Sequence, residues 1–104
     1  METKLVYMTA SDMTEAKKIG RVLVEKRLAA CVNIFGAIQS LFWWEGGVQE
    51  SNEVAFIAKT TEERVSELIE TVKANHSYEC PCVVTLSIEA GNPDFLKWIA
   101  DETR

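Results

Sequence analysis

The sequence predicts an α+β fold in which two helices cover one face of a four-stranded antiparallel sheet. An apolar, aromatic-rich strand over Cys31–Trp44 is followed by Glu45-Gly46-Gly47 and by a second strand near residues 53–59, which is the pattern of a β-hairpin. Segments with helical periodicity and capping signals lie on both sides of this hairpin. The chain of 104 residues is predicted to form a single domain, 1–104.

The segment before the hairpin predicts a strand and a helix. The apolar run at residues 4–9 is the first strand, and it ends at the turn-forming sequence Ala-Ser-Asp. Asp12 and Glu15 have the spacing of a capping box, so the first helix is predicted to begin there and to reach Leu28. Its apolar face consists of Ala16, Ile19, Val22 and Leu23.

The segment after the hairpin predicts a second helix. Thr60 and Glu63 repeat the capping spacing, and the helix is expected to end near Asn75. Apolar residues follow at helical intervals, namely Val65, Leu68, Ile69 and Val72.

A loop at residues 76–81 then leads to a fourth strand over residues 83–88. Asn92 as N-cap and Pro93 at the first helical position predict a last helix to about Glu102. The complete order is β-α-β-β-α-β-α, the ferredoxin-like βαββαβ arrangement with an added C-terminal helix.

Composition limits the classes of partner. Sixteen acidic residues against eleven basic ones give a net charge of −5, which argues against a nucleic-acid partner. The first residues show no signal-peptide pattern and no segment is long and apolar enough for a membrane span, so we expect a cytoplasmic protein with no membrane partner. The odd number of cysteines, three, favours a reducing compartment over a disulfide framework.

The hairpin strand is apolar on both of its faces. Alternation places Ile38, Phe42 and Trp44 on one face, and Leu41 and Trp43 on the other. A strand covered on one side only should alternate apolar and polar residues. We therefore expect a second copy of the chain to cover this surface, with Leu41, Trp43 and Trp44 in the interface. The alternative is that the final helix covers it alone.

Several stretches together resemble one family. They are residues 27–34 (RLAACVNI), 44–46 (WEG), 59–60 (KT), 76–81 (HSYECP) and 91–98 (GNPDFLKW). In this order and spacing they closely resemble the CutA family of divalent-cation tolerance proteins. The resemblance implies a compact homotrimer with hairpin strands joined across subunits, an architecture related to PII signalling proteins, and binding of copper or another divalent cation.

The resemblance transfers only part of a copper site. Some family members place a cysteine where this chain has Met8, and a histidine where it has Asn75. His76 alone matches the implied copper ligands, and Ser77 stands where a proline is usual, which predicts a less rigid loop.

Cys80 and Cys82 suggest a metal site independently of the family. With His76 they form H-x3-C-x-C, and Glu79 lies between, a set of ligands that suits Cu(I) or Zn(II). The alternative is that both cysteines are small packing residues.

Other polar residues are candidates for an inter-subunit ligand cleft, namely Cys31, Tyr78 and Glu79. Glu45, Glu50 and Glu53 are further acidic candidates. Cys31 could act as a nucleophile only with His76 as its base, since the chain has one histidine. No catalytic motif is present in the sequence, so we expect a protein that is not an enzyme and has no organic cofactor.

These observations give two functional hypotheses. The first is a cytoplasmic, trimeric, non-enzymatic protein of the response to divalent metal ions, with itself as partner. The second is a PII-like regulatory module that binds a small ligand in the cleft between subunits.

Overall fold

The computed structural model describes residues 2–104, which form one four-stranded sheet and three α-helices. The elements in chain order are β1 (Thr3–Ala10), α1 (Met13–Glu25), β2 (Cys31–Trp44), β3 (Gly47–Thr61), α2 (Val65–Asn75), β4 (Val83–Ser87) and α3 (Pro93–Glu102). The strand order is β2-β3-β1-β4, and every neighbouring pair is antiparallel. This confirms the predicted ferredoxin-like fold with its added C-terminal helix.

The apolar core lies between one face of the sheet and helices α1 and α2. Alternate residues of a strand point to the same side, so Met8 of β1 and Phe56 of β3, which are paired, share this face. Both are fully buried, together with Leu23 of α1 and Leu68 of α2. The opposite face, called the open face below, carries residues that are only partly covered, namely Leu5, Tyr7, Ile57, Val84 and Leu86.

Helix α1 begins as predicted and ends earlier than predicted. The Asp12 carboxylate accepts a hydrogen bond of 2.8 Å from the backbone N–H of Glu15, as an N-cap does. At the other end Arg27 has φ of 58°, which stops the helix before Leu28. The N–H of Leu28 then bonds the carbonyl of Leu23 at 2.9 Å, a Schellman motif that turns Leu28 into the core.

The cap predicted for the second helix is wrong. Thr60 belongs to strand β3, where it is buried and its hydroxyl donates to the carbonyl of Leu28 at 2.6 Å. A single 3₁₀ turn, Glu62–Arg64, separates the strand from α2. The capping spacing was misleading because strand pairing continues to Thr61.

The hairpin is longer than predicted. Its turn is the predicted one, with positive φ at Glu45 and Gly46, but β3 starts at Gly47 instead of near residue 53. Residues 47–53 pair with residues 38–44 to form an extension called the hairpin arm. The start of β3 was not predicted because residues 49–52 are all polar and show no apolar alternation. The pairing depends on backbone hydrogen bonds, which any side chain allows.

A β-bulge at Ile34/Gly36 determines which side chains of the arm lie on which face. Beyond it, Phe42 pairs with Gln49 and lies on the open face, while Trp43 pairs with Val48 on the helix side. Leu41, Trp43 and Val48 expose 69%, 74% and 62% of their surface. Both faces of the arm are therefore uncovered in the protomer.

Helix α3 lies at the opposite end of the hairpin from the arm. Its N-cap is Asn92 as predicted, since the Asn92 side chain accepts from the N–H of Asp94. The Lys59 ammonium lies 5.5 Å from the centre of the Phe95 ring, and Lys59 pairs with Cys31 at the base of the hairpin. The alternative that the final helix covers the apolar strand is wrong. Among residues 2–104 no helix is long and apolar enough to cross a membrane.

Substituting Arg27 tests the backbone strain at the end of α1. Arg27→Gly and Arg27→Ala both lose the guanidinium bond to the Glu102 carbonyl. Glycine adopts positive φ without strain, whereas alanine does not. Glycine also gives the unfolded chain more conformational freedom, which opposes this gain. With both effects included, we expect the Gly variant to be more stable than the Ala variant by about 0.5–1 kcal/mol. Urea unfolding measures the difference. Equal stability of the two variants would contradict the strain.

Candidate functional site

His76 holds the loop between α2 and β4 through both of its ring nitrogens. Its side chain is fully buried. Nε2 lies 2.8 Å from the carbonyl oxygen of Thr9, and Nδ1 accepts a hydrogen bond of 3.1 Å from the N–H of Tyr78. A carbonyl only accepts and a backbone N–H only donates, so this arrangement is that of the tautomer with its proton on Nε2; the Glu15 carboxylate lies 3.8 Å from Nδ1. Neither nitrogen is free to bind a metal in this arrangement.

Glu15 ties the same loop to the start of α1. One carboxylate oxygen accepts from the N–H of Ser77 at 2.7 Å, and the other accepts from the N–H of Ser11 at 2.9 Å. A proline at position 77 would lack this N–H, so the serine provides a bond that the usual residue could not make. Burial acts to raise the pKa of Glu15, but the hydrogen bonds from Ser11 and Ser77 outweigh it and lower the pKa to about 2.

Met8 and Asn75, which stand where some family members carry copper ligands, do not join His76 as ligands. Met8 is fully buried in the core, and the Asn75 side chain donates to the carbonyl of Thr71 at 2.8 Å. Within residues 2–104 no three His, Cys, Asp or Glu side chains are placed to hold one metal ion. Binding of a metal ion at His76 would require release of one of its two hydrogen bonds.

The loop instead forms one wall of a groove on the open face. The groove has a volume of about 710 Å³ and lies between the hairpin arm and residues 78–82. Its lining residues are Tyr7, Thr9, Ser40, Phe42, Trp44, Gln49, Glu50, Ser51, Glu53, Tyr78, Glu79, Cys80 and Cys82. The structure thus brings together four residues that the sequence singled out on the loop, including both cysteines.

Tyr78 connects the loop to the arm across this groove. Its hydroxyl donates to the Glu53 carboxylate at 2.9 Å, and its ring packs against His76 with centroids 4.7 Å apart. Burial and the Glu53 charge raise the pKa of Tyr78 to about 12, so the hydroxyl stays a neutral donor at physiological pH. Burial and Glu53 also raise the pKa of the Cys82 thiol, which keeps it protonated more fully than a free cysteine.

Two predicted candidates lie outside the groove. Cys31 is at the base of the hairpin, where it pairs with Lys59, and Glu45 is in the exposed turn. His76 bonds Thr9, and Thr9 pairs with Ala55 on β3, whereas Cys31 pairs with Lys59 on the same strand. Ala55 and Lys59 are four residues apart, so the two positions are separated by roughly 13 Å along β3. Cys31 and His76 consequently form no nucleophile and base pair within one protomer.

Several residues of the site carry no signal in the sequence. The sequence predicts Glu15 only as part of a helix cap, whereas its carboxylate also bonds the N–H of Ser77, 62 residues away in the chain. Ser40, Gln49 and Ser51 line the groove because of the bulge and the long β3. No pattern in the polar residues indicated that they belonged to a strand.

Comparison with known proteins finds one family over nearly the whole chain. Residues 4–102 match the model of the CutA1 divalent ion tolerance protein family. The divalent-cation tolerance protein CutA of Archaeoglobus fulgidus is 50% identical over 94% of each chain, and that of Pyrococcus horikoshii is 37% identical over 96% of this chain and 97% of the relative.

Solved structures agree with this match. The crystal structure of CutA1 from Oryza sativa superimposes with a TM-score of 0.97 at 40% identity, covering 100% of this chain and 95% of the other. The structure of the periplasmic divalent cation tolerance protein CutA from Archaeoglobus fulgidus has a TM-score of 0.95 at 45% identity, covering 98% and 99%.

Removing the Glu15 charge should weaken the attachment of the loop. The pKa of Glu15 in the folded protein lies below its ordinary value. The ionised carboxylate therefore stabilises the fold above pH 4.5, and this stabilisation is lost as the pH falls from about 4.5 to about 2. We expect Glu15→Gln to lower the unfolding free energy at pH 7 by about 1–2 kcal/mol and to flatten its pH dependence in that range. Glu25→Gln, on the exposed side of the same helix, is the control. An unchanged acid profile of Glu15→Gln, measured by urea unfolding, would contradict this assignment.

Proposed function

This chain belongs to the CutA1 divalent ion tolerance protein family, and on that premise we propose that it is a homotrimeric, cytoplasmic, non-enzymatic protein of the response to divalent metal ions. Its three free cysteines fit a reducing compartment. The open groove beside the loop carries the proposal, because its exposed polar groups are the ones available to a cation or a small ligand.

The hairpin arm supports self-association. Leu41, Trp43 and Val48 each expose more than 60% of their surface on the helix side of the arm, and Phe42 and Trp44 are exposed on the other side. Burying an aromatic side chain of this size removes a large apolar area from water. A contiguous exposed group of this kind is typical of an interface between subunits.

The sheet also has two edges that can pair with other copies. Within residues 2–104, β2 is bonded on one side to β3, and β4 on one side to β1. If β2 of one copy pairs with β4 of the next, the contact is heterologous. Repeated contacts of this type form a closed ring when the rotation between neighbouring copies brings the last copy back to the first. Three copies are the number that the family resemblance implies.

We place cation binding on the loop thiols and not on His76. Cys80 and Cys82 are free, lie two residues apart and line the same groove, with Glu79 beside them. Both nitrogens of His76 are used inside the protomer. Thiolates suit Cu(I) and Zn(II), and the raised pKa of Cys82 makes binding stronger as the pH rises, because the metal displaces the thiol proton.

A second function is favoured by the shape of the groove. It is concave, it has aromatic walls, and Tyr78 and Glu53 fix its polar side. These features suit a PII-like regulatory module that binds a small ligand and presents the arm or the loop to a protein partner. Catalysis has less support, because the only histidine is held by two hydrogen bonds and is not placed beside a nucleophile.

A charge on the arm should break the assembly. We expect the native chain to have a mass of about 35 kDa by size-exclusion chromatography with light scattering, three times its 11.7 kDa. Trp43→Glu should shift it toward the monomer, because the carboxylate would be buried in the interface. Met13→Glu changes an exposed apolar residue on α1, outside the arm, and is the control. A native monomer would contradict the assembly.

Thiol and histidine variants should separate the two possible metal sites. We expect the Cys80→Ser/Cys82→Ser variant to lose binding of Zn(II), a redox-inert probe, in calorimetry under reducing conditions. Cys31→Ser removes a thiol outside the groove and should keep it. His76→Ala should bind Zn(II) but melt at a lower temperature, since it loses two hydrogen bonds. Loss of binding in His76→Ala, with binding intact in the double variant, would place the site at the histidine.

A further inference from the structure

We propose that the outward side of helix α1 is a docking surface for an acidic segment of a protein partner. This surface, called the basic face below, consists of Lys17, Lys18, Arg21 and Lys26, which are all exposed. The inference goes beyond the response to metal ions, because it depends neither on the groove nor on the cysteines of the loop. It follows from the place where the chain leaves its positive charges without partners.

The basic face holds every Lys and Arg side chain that has no ion pair or hydrogen bond within residues 2–104. Of the eleven basic residues, seven have such a partner, namely Lys4, Arg27, Lys59, Arg64, Lys73, Lys97 and Arg104. The remaining four form the basic face, although the chain has a net charge of −5. Within Met13–Glu25 the one exposed carboxylate is that of Glu25. Such a concentration of unneutralised cations suits an anionic partner.

The basic face points away from the sheet and from the contacts assigned to the assembly. Ala16, Ile19 and Leu23 turn the other side of α1 into the core. At 3.6 residues per turn, Lys18 and Arg21 lie roughly opposite to them. The assembly proposed above uses the hairpin arm and the sheet edges at β2 and β4, and the basic face belongs to none of these. We therefore expect it to stay accessible in the trimer.

Helix α2 packs beside α1 and carries the opposite charge. Its exposed carboxylates are those of Glu67 and Glu70, and Glu63 lies in the turn just before it. Glu70 lies 3.6 Å from Lys73, whereas Glu63 and Glu67 make no ion pair within residues 2–104. The helix layer thus presents a positive stripe and a negative stripe side by side. A partner that matches both has carboxylates over α1 and basic groups over α2.

The two stripes favour a protein over other polyanions. A nucleic acid carries phosphates throughout, so its backbone would meet the carboxylates of α2 as well as the cations of α1. A helix that enters an anionic membrane needs an exposed apolar face, whereas the large apolar residues exposed within Met13–Glu25 are Met13 and Val24. A protein segment can instead place acidic and basic side chains on adjacent sides of one helix.

Two synthetic helical peptides of identical composition test the docking surface. The striped peptide has Glu on one side and fewer Lys on the adjacent side, and the scrambled peptide distributes the same residues evenly around the helix. Calorimetry on the native protein at low ionic strength should give binding of the striped peptide at least about tenfold tighter. Lys18→Gln/Arg21→Gln should weaken it about three- to tenfold, because two exposed ion pairs are lost. Lys97→Gln/Arg104→Gln removes two positive charges from the C-terminal segment and should leave it unchanged.

The outcomes distinguish the classes of partner and separate this surface from the groove. Equal affinity for the two peptides, or unchanged affinity in Lys18→Gln/Arg21→Gln, would overturn the inference. Tighter binding of a DNA duplex or of phosphatidylserine vesicles than of the striped peptide would overturn it in favour of that class. The Cys80→Ser/Cys82→Ser variant should bind the striped peptide as the native chain does, whatever its affinity for Zn(II). Weaker peptide binding in that variant would place the peptide in the groove and contradict the docking surface on α1.

Discussion

The two hydrogen bonds of the His76 ring are the constraint on which the candidate site depends. Thr9 is near the end of the central strand β1, and Tyr78 is two residues beyond the histidine, so the ring fixes where the chain leaves the sheet before it returns as β4. From that point Tyr78 reaches Glu53 on the arm, and the cysteines of the loop line the groove. A histidine used in this way positions other residues and does not itself offer a free nitrogen to a ligand.

A single bulge sets the orientation of the side chains on the hairpin arm. The bulge between Ile34 and Gly36 shifts the pairing by one residue, so Phe42 points to the groove and Trp43 to the helix side. A one-residue shift reverses every side chain beyond it. The same strand therefore places Phe42 and Trp44 in the wall of the groove and leaves Leu41 and Trp43 exposed on the other face.

Much of the fold could be predicted from the sequence, because its signals are local. Periodicity and capping residues identified the element order, the Asp12 and Asn92 caps and the hairpin turn. The Thr60 cap failed because strand pairing overrode a local motif, and the polar part of β3 was missed because its hydrogen bonds leave no trace in side-chain type. The loop at residues 76–81 could be singled out from the sequence as a candidate site, but the use of Nε2 of His76 depends on Thr9, 67 residues away in the chain, and no local pattern reports such a contact.

The state of the His76 ring in solution tests this account most directly, and the chain has only one histidine, so its signals are unambiguous. Long-range proton–nitrogen NMR reports which nitrogen carries the proton and whether a metal binds there. We predict a neutral ring protonated at Nε2 that keeps both nitrogen shifts when Zn(II) is added, while the Cβ signals of Cys80 and Cys82 move. A Zn(II)-dependent change at either ring nitrogen, with the cysteine signals unmoved, would contradict the account and make His76 the ligand.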